Sequence, residues 1–68
     1  MMNGLVVKKG ALYIARIGPK SIFYDEHGQI WTKELQAARV FPYYNRAVRE
    51  AKRVGGDVRV MKNGRLEE

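Results

Sequence analysis

Cysteine is absent from this 68-residue chain, which excludes a disulfide framework and any thiolate metal site. The single histidine, His27, excludes a histidine-based zinc set as well. It stands in Asp25-Glu26-His27-Gly28, which reads as an exposed turn with no nucleophile beside it in sequence and no second ligand. Asp25 and Glu26 are adjacent acids, so they point in different directions on a strand or turn and make no working acid/base pair. Gly18-Pro19-Lys20-Ser21 imitates the end of a phosphate-binding loop but lacks its G-x-x-x-x-G-K spacing and the helix that should follow. No catalytic residue, no metal ligand and no cofactor is therefore expected, and the chain reads as a non-enzyme. Apolar residues never run beyond a few in succession, so no stretch is fit to span a bilayer. The opening MMNGLVVKKGALYIARIG also lacks the ordered basic, apolar and small-residue blocks of a signal peptide. The expectation is a cytoplasmic protein with no membrane partner, whose mature chain is the whole chain.

What the chain has in excess is positive charge, a formal +6 from 13 Lys and Arg against 7 Asp and Glu. The excess is concentrated. Between Arg39 and Arg65 stand Arg39, Arg46, Arg49, Lys52, Arg53, Arg59, Lys62 and Arg65, opposed only by Glu50 and Asp57, while the N-terminal part is balanced. A field gathered on one segment attracts polyanions and speeds encounter with them. It also keeps a small protein soluble, an equally weighty reading.

The length allows one domain, residues 1–68, with no linker and with short termini expected to fray. Leu5 to Lys8 and Ala11 to Ile17 are β-rich runs separated by Lys9-Gly10, a two-residue turn signal. Gly18-Pro19-Lys20 breaks the pattern. Ser21 to Asp25 and Gln29 to Lys33 then flank Glu26-His27-Gly28 as a second hairpin. Glu34 to Ala38 predicts one helical turn leading into a short strand at Arg39-Val40-Phe41, which Pro42 stops. From Tyr43 to Val54 the 3.6-residue period places Tyr44, Ala47, Val48, Ala51 and Val54 on one arc and Arg46, Arg49 and Arg53 opposite, with Lys52 on the flank. Gly55-Gly56 supplies a left-handed stop, Asp57 to Lys62 alternates as a strand, and Asn63-Gly64 predicts a type I′ turn into Arg65-Leu66. The sum is an α+β domain: a small antiparallel sheet of four to six short strands with one helix, about 43–54, packed across one face.

Both alternating sets of the strands carry large apolar groups: Leu12 and Ile14 against Tyr13 and Ile17, Ile30 against Trp31, Val58 and Val60 against Met61. One helix does not cover two faces. Burial is worth roughly 25 cal/mol per Å² of apolar surface, so an uncovered face seeks a cover from a homodimer partner, another protein or stacked bases. A bulge or a folded-back terminus is the competing expectation.

The ordering W-T-K-E-L-Q-A-A-R-V-F, then a helix with A-V-R-E-A-K, then G-G-D-V-R-V, resembles small ββαβ proteins encoded in phages and prophages. The matching positions are Trp31, Leu35, Ala38, Phe41, Ala47, Ala51, Gly55, Gly56, Val58 and Val60, over a little under half the chain. The resemblance implies an accessory binding protein, such as an inhibitor of host RNA polymerase or of a host defence complex, and carries over no site residue.

Two binding readings follow. In the first, Arg46, Arg49, Lys52 and Arg53, with Arg39 and Arg59 nearby, contact the phosphates of nucleic acid or a nucleoprotein complex, largely without regard to sequence, and Tyr43 and Tyr44 stack or position. In the second, Phe23 and Trp31 on the sheet, or an edge strand, dock an acidic host protein with the arginines as rim. The alternative to both is a solvated helix face over a core built around Trp31.

Overall fold

A computed structural model describes residues 3–17 and 22–67. The Gly18-Pro19-Lys20 break, the start of the second hairpin at Ser21 and the extreme termini lie outside the described residues. Six strands, β1 (Gly4–Lys9), β2 (Leu12–Ile14), β3 (Ile22–Tyr24), β4 (Ile30–Thr32), β5 (Asp57–Lys62) and β6 (Arg65–Leu66), form one antiparallel sheet in the order β3-β4-β2-β1-β5-β6. Among the described residues a single α-helix, α1 (Tyr44–Val54), lies across β1 and β5. The small α+β architecture read from the patterning is therefore the fold, with β2 and β4 shorter than the β-rich runs suggested, β1 longer, and β5 and β6 as expected. The first turn also moves by one residue. Lys9 pairs with Leu12, so Gly10 and Ala11 form the loop in place of Lys9 and Gly10, and Gly10 supplies the positive φ of 61°.

On the helix side, Val7, Ile14, Trp31, Phe41, Ala47 and Ala51 are buried together, with Leu5, Leu12, Val54 and Val58 packed against them. Alanine at 47 and 51 lets the helix axis approach the sheet, leaving room for the large rings of Trp31 and Phe41 between them. Tyr44 departs from the expected apolar arc. At the first helical position it is 65% exposed.

Around β1, β2 and β5 the second face is covered by the chain itself, where the apolar alternation suggested an uncovered face. Val6, Tyr13, Ala38 and Met61 are buried there, and Leu35, Val40 and Leu66 pack over them. The cover comes from the connection between β4 and α1. A 3₁₀ helix, Leu35–Ala37, leads into Ala38 and Phe41, each of which makes an isolated bridge in place of the continuous strand expected at 39–41. β1 and β2 stay paired only beside their turn. Beyond it, Arg39 N–H donates to Ile14 O (2.8 Å) and Arg16 N–H to Ala37 O (3.0 Å), while Phe41 N–H donates to Leu5 O (2.7 Å). The connection thus satisfies the backbone groups of two diverging strands while its side chains close the second face.

The chain reverses out of α1 through two glycines with different tasks. Gly55 is the left-handed C-cap at φ 75°, and its N–H bonds Ala51 O. Gly56 passes so close to β1 that a Cβ there would stand 2.8 Å from Lys8 O and 3.2 Å from Val7 Cγ1. Asn63 and Gly64, at φ 54° and 75°, form the left-handed pair of the β5–β6 turn.

Candidate nucleic-acid interface

The helix that carries the basic stripe is anchored on the sheet through Ala47 and Ala51, which turns its opposite face outward. Arg46, Arg49 and Lys52 are exposed on it and make no ion pair among the described residues. Arg53 differs. Its Nη2 and Nε donate to Glu50 Oε1 at 2.7 and 3.1 Å, and Nη2 also donates to Gln29 Oε1 at the foot of β4. The guanidinium of Arg53 holds the Glu50 carboxyl below the usual glutamate range, and the positive charges of Arg39 and Arg46 act in the same direction. Arg39 also lies over the ring of Phe41, 4.9 Å from its centroid. Arg53 therefore pairs with this carboxylate, while Arg46, Arg49 and Lys52 stay exposed on the helix with no ion pair among the described residues.

Arg59 belongs elsewhere. It alternates along β5 with Val58, which packs under the helix, and pairs in register with Val6, so it stands half-buried on the sheet face away from α1. The four aromatics separate too. Trp31 is core, at 4% exposure, and offers no interface ring of its own. Tyr43 and Tyr44 are exposed at the N-terminal end of α1, and Phe23 is 46% exposed on β3, an edge strand of the described sheet. Tyr43 is the N-cap residue and makes no side-chain capping bond.

Near the other end of α1, the β3–β4 hairpin is tied together by Asp25. One oxygen, Oδ1, accepts the N–H groups of His27 (2.9 Å) and Gln29 (2.8 Å), closing the turn, and Oδ2 accepts Trp31 Nε1–H (2.9 Å). The tryptophan bond first, and then the two backbone bonds, hold the Asp25 carboxyl below the usual aspartate range against the opposing effect of desolvation. His27 extends from the turn, 3.6 Å from Glu26 Oε1, and both side chains are exposed. The sequence contained a signal for the capture of Arg53, since Glu50 precedes it by three residues on the same helix. Nothing in sequence marked Lys9, Leu12 or Lys33, which the sheet order brings around Phe23.

Among the described residues no helix is long and apolar enough to cross a membrane. Compared with known proteins, the chain matches no protein-family profile, no curated protein and no solved structure.

Proposed function

We propose that this chain is a non-enzymatic accessory binding protein, of the phage or prophage kind its sequence resembles, that docks on nucleic acid or a nucleoprotein complex in the cytoplasm through the outer face of α1. The observation that carries the reading is the trio Arg46, Arg49 and Lys52, exposed on one anchored helix with no acidic partner among the described residues. Cations held this way neutralise backbone phosphates and release their counterions, which gives affinity without base recognition. Arg39, over the Phe41 ring, and Arg53, paired with Glu50, add to the field. Arg59, on the other face of the sheet, stands apart from this surface.

The test is the triple substitution Arg46→Gln, Arg49→Gln and Lys52→Gln, titrated against labelled DNA and RNA beside the parent protein. All three side chains are exposed, so the fold survives the change. Loss of most of the low-salt affinity supports the reading. Parent-like affinity in the triple variant sinks it.

The runner-up is an acidic protein partner, favoured by one observation: Phe23 is half-exposed on an edge strand, with Lys33 Nζ 5.5 Å from the centre of its ring. An interface centred on that ring responds weakly to salt, whereas phosphate contact responds steeply.

A further inference from the structure

The helix does not cover its side of the sheet out to the β3 edge. There the surface falls into a trough of about 420 Å³ whose apolar floor is Leu12, Phe23 and Trp31. Lys9 and Asp25 line this trough and also a second hollow of about 500 Å³, which Gln29, Arg53 and Val54 close on the helix side and the exposed Glu26 and His27 on the turn side. The two hollows adjoin at Lys9 and Asp25, between the exposed ring of Phe23 on one side and Arg53 of α1 on the other.

We infer that the trough seats an unpaired nucleobase against Phe23, which makes the nucleic acid bound by this protein single-stranded; the inference rests on the proposed function above. The hollow lies in the size range of small-ligand sites, about 300–1,000 Å³, and it presents an aromatic ring above apolar side chains. Charge selects the occupant. Lys9 stands in the wall and Lys33 Nζ lies over the Phe23 ring, 5.5 Å from its centroid, while Asp25, the one acid among the described residues lining the trough, has its carboxylate occupied by three N–H donors of its own chain. A strand that repeats one ring and one negative charge per nucleotide matches a surface on which Phe23, Lys9, Arg53 and Lys52 succeed one another. A duplex does not, because its base faces are hidden in the stack, whereas an unpaired base offers a free π-face to an aromatic side chain.

The experiment compares a labelled oligothymidylate with a duplex of the same length by anisotropy, while following the emission of Trp31, the one tryptophan of the chain. The single strand is expected to bind more tightly and to alter Trp31 emission. Phe23→Ala is expected to weaken it roughly 5- to 150-fold, the usual range for one lost stacking partner, and to leave duplex affinity unchanged. Phe23→Tyr keeps the ring and is expected to retain binding. Phe23 is half-exposed, so neither change removes the core. Should Phe23→Ala bind the single strand like the parent while the triple helix variant loses both ligands, the trough inference falls and the helix-face reading stands. Parent-like binding of both ligands by the triple variant overturns the two together. Preference for polyglutamate over oligothymidylate, lost in Phe23→Ala, assigns the trough to an acidic peptide and also overturns the inference.

Discussion

The Oδ2 atom of Asp25 accepts the only tryptophan N–H in the chain, and its other oxygen closes the turn. Asp25→Asn keeps an acceptor for the turn but sets an amide donor against Trp31 Nε1–H, so a shift in Trp31 emission in a folded protein is the expected outcome. The same bonds set a pH dependence. The fold binds the ionised carboxylate, so its contribution is complete above about pH 4, where the unfolded side chain is already charged, and it fades as pH falls through the lower folded value. Acid titration of Trp31 emission is expected to show this loss in the parent and not in Asp25→Asn. At the helix stop, Gly55→Ala forces a β-carbon into left-handed backbone and is expected to cost about 1–2 kcal/mol. Gly56→Ala drives its Cβ against Lys8 O and is expected to cost about 1–3 kcal/mol, measured for both by urea unfolding. The glycine pair was legible as a stop. That the second glycine serves close packing and not backbone conformation was not, because the neighbour it approaches lies in β1, far away in sequence.

Among the elements, the connection from Leu35 to Phe41 does the most to make a sheet of short strands into a closed domain. It fills the gap between β1 and β2, covers the second face through Leu35, Ala38 and Val40, and places Phe41 under the helix. Phe41→Ala removes a fully buried ring from this joint. A loss of about 3–5 kcal/mol is expected, comparable to the whole stability of a domain this small, so the variant is expected to lack a cooperative thermal transition by circular dichroism. Arg53 latches the β3–β4 hairpin to α1, but from a half-exposed position. Arg53→Gln is therefore expected to change stability by less than about 1 kcal/mol. The helix, the second hairpin and the Asn63-Gly64 turn were readable because their signals are local: a 3.6-residue period, a turn flanked by alternation, an Asn-Gly pair. The connection has no period. Its two bridges depend on which strands it passes between, and the sheet order is set by pairings as distant as Gly4 with Met61.

Across the molecule, covering the second face from within removes the reason for self-association that the apolar alternation suggested. With a net charge of +6 opposing contact between copies, sedimentation is expected to show a monomer at moderate ionic strength. The candidate site was legible in part. Charge counting located the helix face and the i, i+3 spacing carried the Glu50–Arg53 pair, but spacing along the chain did not place Arg59 on the far side of the sheet or bury Trp31, since both depend on the sheet order. What remains is a surface whose proposed function depends on meeting phosphate. The decisive measurement is the affinity of the intact protein for a labelled single strand across a salt series. The account predicts binding at low salt with a log–log slope of roughly −2 or steeper, since about 0.7 is contributed by each cation that contacts a phosphate and Arg46, Arg49 and Lys52 are all free to do so. A flat salt response, or no binding at low salt, would contradict it.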